Sequence, residues 1–228
     1  MAHSLEERAA VLTVPGLCGS GPGHWQSLWE EGFWALDGVD CWRADLGAWD
    51  KPRRNLWASR LGLAIRAAGR PVVLAAHSLG CHAVAWWARM EPAAAALVRG
   101  ALLVAPPDVD EAPVDARLRG FAGSAGQALP FRATLVASSD DPYLSLAGAR
   151  VLAQRWGAQF VDIGARGHIN AESRLDVWPR GQALLDDLLG EAAGPAYDTS
   201  LAGPSAFPQL SVSTPFFVPH KEASIHEG

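Results

Sequence analysis

Three short blocks of this 228-residue chain carry residue types that chemistry uses. Ser78 sits in Ala76-His77-Ser78-Leu79-Gly80, directly after the apolar run Val72–Ala76. Asp140-Asp141-Pro142 closes a second apolar run, Ala133 to Ser139, and Gly167-His168 follows a third, Gln159 to Ile163. A serine hydroxyl becomes a competent nucleophile only with a base in hydrogen-bond reach and an acid that orients the base. Serine, aspartate and histidine in that order, each just past an apolar run, predict such a set. Ser78 is the candidate nucleophile and His168 the candidate base. Pro142 biases Asp141 toward extended backbone and fixes the start of the next turn. That favours Asp141 as the acid and leaves Asp140 as a helix-side or loop cap.

The elements that must position these groups follow from the same runs. Val72–Ala76 reads as a buried parallel strand. It passes straight into an Ala- and Trp-rich helical pattern ending near Met90, so one sharp turn with Ser78 at its apex must join them. That is the strand–turn–helix context of a nucleophile elbow, whose usual signature is G-x-S-x-G. The elbow needs small residues two before and two after the serine; Ala76 and Gly80 supply them, with Ala76 in place of the first glycine. The competing reading is an ordinary helix start with Ser78 as N-cap. A developing oxyanion needs donors. The N–H of Leu79 is one candidate, and the N–H of Leu17, after Pro15-Gly16, is the other. His24 and Trp25 are expected to order the loop that carries Leu17, the alternative being a plain helix start. His77 projects from the elbow's own strand and is expected to hydrogen-bond beside the elbow. His82 reads as a packed or capping residue and Cys18 as a small apolar filler.

Further strands are predicted at Ala10 to Val14, Asp40 to Asp45 and Gly100 to Pro106. Helices are predicted from about His24 to Leu36, Arg53 to Gly69, about Tyr143 to Trp156, and near Pro179 to Leu189. Strands alternating with helices imply β-α-β units, a parallel sheet with helices on both faces, and a site at the carboxyl ends of the strands. Residues 1–190 would form this domain. The Gly/Pro-rich stretch 107–130 reads either as a small lid or as a solvated surface excursion. Residues 191–228, rich in Ala, Gly, Pro and Ser, read as a flexible tail, docked at most through Phe216-Phe217.

Composition narrows the function classes. A net charge of −5 argues against a nucleic-acid partner. No apolar run reaches the length of a membrane span, and no basic stretch followed by an apolar core marks a secretory signal. Three cysteines without a C-x-x-C pair suit a reducing cytoplasm. No metal is expected, because neither Cys18 with His24 nor Cys81 with His82 has ligand spacing and further partners. The glycines of 16–23 lack the G-K-[ST] ending of a phosphate-binding loop and the G-x-G-x-x-G spacing, which argues against phosphate binding there; serine chemistry of the kind read above needs no cofactor.

The block Val14 to Trp29 (VPGLCGSGPGHWQSLW), with Ala76-His77-Ser78-Leu79-Gly80, Asp140-Asp141-Pro142 and Gly167-His168, resembles a family of small serine hydrolases. That family includes retinoblastoma-binding protein nine and many short bacterial α/β-hydrolases. The resemblance covers roughly Val11 to Leu189. It implies a minimal α/β-hydrolase fold of about six mostly parallel strands in a three-layer αβα sandwich. It also implies a triad of Ser78, Asp141 and His168, since the family's acid is the aspartate immediately before the proline. The implied substrate is a small acyl ester. Amidase or acyltransferase chemistry on the same triad is the first alternative, and a catalytically silent binding module is the second. Retinoblastoma binding does not carry over, because the chain lacks Leu-x-Cys-x-Glu.

Overall fold

Residues on alternate sides of each central strand enter two separate apolar cores. The computed structural model describes residues 9–32, 39–111 and 113–190. The tail 191–228, with Phe216 and Phe217, lies outside them. The strands are β1 (Ala10–Val14), β2 (Cys41–Arg43), β3 (Val72–His77), β4 (Val98–Val104), β5 (Arg132–Ala137) and β6 (Gln159–Asp162). They form one sheet in the order β2-β1-β3-β4-β5-β6, with every neighbouring pair parallel. The helices are α1 (Trp25–Glu30), α2 (Arg54–Ala67), α3 (Leu79–Met90), α4 (Leu146–Trp156) and α5 (Pro179–Leu189).

Strand side chains alternate between faces. Leu12, Leu74, Leu103 and Leu135 therefore join one core with Trp57 and Leu61 of α2, Trp87 of α3 and Trp156 of α4. Val11, Val73, Leu102 and Val136 join the other, with Trp25 and Trp29 of α1 and Leu185 and Leu188 of α5. The result is the expected αβα sandwich, and most of the chain's tryptophans fill its two cores rather than a binding surface.

Several element boundaries differ from expectation, each for a local reason. Instead of continuing to Leu36, α1 ends at Glu30, where Gly32 takes φ +88°; residues 33–38 lie outside the described set. β2 is three residues long rather than six. α4 begins at Leu146 rather than Tyr143, because the Ser145 side chain caps the Gly148 N–H at 3.1 Å.

The stretch 107–130, described apart from residue 112, is tied to the core at several points, while many of its residues stay exposed. It contains two short 3-10 turns, Ala116–Phe121 and Ser124–Gly126. Val109, Leu118 and Phe121 are buried in the core beneath α2 and α3. Trp86 Nε1–H donates to the Phe121 carbonyl at 2.9 Å, and Trp156 Nε1–H to the Ser124 carbonyl at 3.3 Å. His82, on the first turn of α3, ties both ends. Its Nε2 meets the Pro107 carbonyl at 2.9 Å and so carries the proton, while Nδ1 accepts from the Ser124 hydroxyl at 2.6 Å.

Burial lowers the pKa of His82 to about 4. The unfolded chain then binds a proton at this site between pH 6.5 and 4, where the folded chain does not. Stability from His82 is therefore complete above 6.5 and is lost as pH falls toward 4, by about 3 kcal/mol. A melting temperature followed from pH 7 to pH 4 is expected to fall, in part for this reason, and less steeply in His82→Gln. An equal slope in the two proteins would contradict the assignment.

Candidate active site

The turn after β3 is built on close backbone packing. Ser78 has φ 54° and ψ −127°, a left-handed conformation that costs a non-glycine residue on the order of 1–3 kcal/mol. The Ser78 N–H donates to the Val104 carbonyl at 2.8 Å, tying the turn to β4. A Cβ at Gly80 would lie 2.2 Å from the Val14 carbonyl oxygen, so only glycine lets α3 leave this close to β1. Ala76, buried in β3, meets the requirement at the other small position. The competing picture of Ser78 as a side-chain N-cap is corrected: its side chain makes no cap hydrogen bond.

Ser78, Asp141 and His168 follow β3, β5 and β6, and the structure brings them together. Ser78 Oγ lies 2.9 Å from His168 Nε2. His168 Nδ1 lies 3.0 Å from both Oδ1 and Oδ2 of Asp141. The Asp141 side chain is only 3% exposed and that of His168 10%. The Tyr143 N–H donates to Asp141 Oδ1 at 2.9 Å, which fixes the carboxylate's orientation. Asp140 occupies a different place. Its Oδ1 accepts from the Ser138 hydroxyl and from the Gly167 N–H, each at 2.7 Å. Those bonds, the Ser138 hydroxyl foremost, hold its carboxyl below the usual carboxylate range. Asp140 is thus a loop cap that joins the loop carrying Asp141 to the loop carrying His168.

Gly16 stands against the elbow, where a Cβ would be 2.7 Å from Ser78 Cβ and 3.2 Å from the Leu79 nitrogen. The loop after β1 therefore abuts Ser78. Among the described residues, the backbone N–H groups of Leu17 and Leu79 have no protein hydrogen-bond partner. Two free donors accordingly sit on the residues flanking this contact. Cys18 is exposed with φ 64°, which corrects its reading as a filler.

The side chains around this core partly redistribute the expected supporting roles. The Leu17 loop is ordered by Gln26 and Ser27 rather than by Trp25. Ser20 Oγ–H donates to Gln26 Oε1 at 2.5 Å, Gln26 Nε2–H to the Ala75 carbonyl at 2.8 Å, and Ser27 Oγ–H to the Ser20 and Gly21 carbonyls. Trp25 instead reaches the other side of the site, donating from Nε1 to the Ile169 carbonyl at 3.0 Å. His24 caps α1, its Nδ1 accepting from the Gln26 N–H. His77 does hydrogen-bond beside the elbow, through Nε2 to the His168 carbonyl at 2.9 Å. Burial keeps His77 well below its usual pKa and takes His24 to about 4, so both rings are neutral. Tyr143, read from the sequence only as a helix start, lays its ring 4.3 Å from that of His168. Its only sequence signal is its place directly after Asp-Asp-Pro.

A hydroxyl bonded to an imidazole, whose far nitrogen faces a buried carboxylate, can deprotonate as it attacks an acyl carbon. Among the described residues no group of three or more His, Cys, Asp or Glu side chains could hold a metal ion, and no helix is long and apolar enough to cross a membrane.

A sequence profile for the family described as "Serine hydrolase" matches residues 11–187. No curated protein matches the chain. Among solved structures, a YdeN-like hydrolase from Pectobacterium atrosepticum is 27% identical, with a TM-score of 0.68 over 81% of this chain and 92% of that one. The ydeN gene product from B. subtilis is 21% identical, with a TM-score of 0.65 over 79% and 98%. The type II thioesterase BorB from the borrelidin biosynthetic cluster is 18% identical, with a TM-score of 0.57 over 83% and 95%. At such identities the last two are similar to this chain in fold alone.

Proposed function

The chain belongs to the serine hydrolase family, and from that membership we propose that it cleaves small carboxylic esters through an acyl-enzyme on Ser78. The observation that supports this most is the continuous set of bonds from Asp141 through His168 to Ser78 Oγ. Ser78 Oγ attacks the acyl carbon while its proton moves to His168 Nε2. Asp141 holds His168 in the tautomer with hydrogen on Nδ1 and stabilises the imidazolium that forms. The tetrahedral oxyanion accepts from the N–H groups of Leu17 and Leu79. As the carbonyl reforms, the ester C–O bond breaks and His168 gives its proton to the leaving alcohol. Water, deprotonated by His168, then attacks the acyl-enzyme and releases the acid. No step draws on a metal or an organic cofactor.

Esters fit better than amides because an alkoxide leaves with less help from the acid than an amine does. Matched p-nitrophenyl esters and p-nitroanilides of graded acyl length, with and without a competing alcohol, separate the readings. The ester is expected to exceed its anilide in kcat/KM by about 10²-fold or more, with free acid as the main product. Comparable anilide turnover would replace this reading with an amidase, and transfer to the added alcohol with an acyltransferase.

A further inference from the structure

We propose that His77 and Trp25 are positioning residues that clamp the loop carrying His168 and thereby set the distance from His168 to Ser78. The proposal rests on the reading of Ser78, His168 and Asp141 given above.

The need for a clamp comes from the sheet. β6 is an edge strand, three places from β3, which carries the nucleophile. At the spacing of neighbouring strands the loop after β6 must reach back ~14 Å across β5 and β4. β6 itself is four residues long and partly exposed, a weak anchor for such an excursion.

Two side-chain donors meet the returning loop at successive carbonyls. His77 Nε2–H takes that of His168, and Trp25 Nε1–H takes that of Ile169. A carbonyl only accepts, so His77 holds its hydrogen on Nε2. His24 packs against the His77 ring with centroids 4.7 Å apart, and the His77 ring in turn lies 5.0 Å from that of His168. Ile169 is fully buried at φ 51°, left-handed although β-branched. Such a conformation persists only where its surroundings over-determine it. Here they do: Ile169 shares a core with Trp25, Trp29 and Trp178 as well as bonding to Trp25.

Residues 77 and 78 are consecutive, and they hold His168 at opposite ends. His77 takes its carbonyl and Ser78 Oγ meets its ring. Base and nucleophile are thus joined directly, without routing the alignment through β4 and β5.

The test uses the full chain, p-nitrophenyl acetate as probe, and the variants His77→Gln, His77→Phe, Trp25→Phe and Ser78→Ala, each checked by melting temperature. His77→Phe keeps a ring but no donor, and is expected to lower kcat by about 10²-fold with KM nearly unchanged, the effect of a small misplacement of a catalytic group. His77→Gln, whose amide N–H reaches the same carbonyl, is expected to recover most of that loss. Trp25→Phe is expected to lower kcat in the same manner, and it carries the comparison should His77→Phe fail to fold. A folded His77→Phe or Trp25→Phe with wild-type kcat, or a His77→Gln as slow as His77→Phe, overturns the clamp while Ser78→Ala remains inactive. Activity retained in Ser78→Ala overturns the underlying reading, and the clamp with it.

Discussion

Ser78→Ala is expected to lower kcat on a carboxylic ester by about 10⁴- to 10⁶-fold while the protein stays folded. The substitution removes one oxygen, and that oxygen carries the whole chemical step proposed above. Among the described residues it bonds to His168 Nε2, at 2.9 Å. The elbow does not depend on it, because the turn is held by the Ser78 N–H to Val104 and by the tight approach of Gly80 to β1. Stability and activity should therefore separate cleanly. His168→Ala is expected to match the loss, and the double variant to be hardly slower than either single one, since residues acting as a unit are not additive. Steady-state kinetics on freshly purified protein, with melting curves alongside, reads all three. A Ser78→Ala protein within tenfold of wild type would mean that another group attacks the substrate.

The two adjacent aspartates give the second large effect, and they should differ sharply. Asp141→Asn is expected to cost about 10⁴-fold in kcat. An amide cannot both accept from His168 Nδ1–H and from the Tyr143 N–H through two equivalent oxygens, as the carboxylate does. Turned with its NH₂ toward the ring, it favours hydrogen on Nε2, the tautomer that cannot take the serine's proton. Asp140→Asn keeps an oxygen for the Ser138 hydroxyl and the Gly167 N–H, so its kcat is expected to stay within about tenfold of wild type. Kinetics on the two variants in parallel decides the matter, and the reverse pattern would move the acid role to Asp140.

Much of this architecture is legible in the chain because each candidate residue ends an apolar run. β3, β4 and β5 are buried on both faces and read as continuous hydrophobic segments, so Ser78 and Asp141 announce themselves at their ends. His168 is legible by the same logic, although β6 is short and only half-buried. Local backbone chemistry explains where element boundaries moved: Gly32 stops α1 and Ser145 delays α4. The anchoring of 107–130 was hidden for another reason. Leu118 and Phe121 stand among glycines, arginines and prolines without a helical period, yet they reach the same core as α2 and α3. The role of Trp25 was the least accessible. Its bond to Ile169 spans 144 positions, and nothing in a Gly-His-Trp-Gln block names a partner that far away. Local spacing points to the loop next door; the tertiary fold sends the indole to the opposite side of the site.

The central claim is that Ser78 is an activated nucleophile. The most direct measurement is labelling of the intact protein with a fluorescent fluorophosphonate, read by intact mass and by gel, beside Ser78→Ala and His168→Ala. Such reagents phosphonylate a serine only where a neighbouring base takes its proton. Stoichiometric labelling of the wild type, mapped to Ser78 and lost in both variants, is the predicted result. A folded wild-type protein that does not react, or one that reacts equally when Ser78 is alanine, would contradict it.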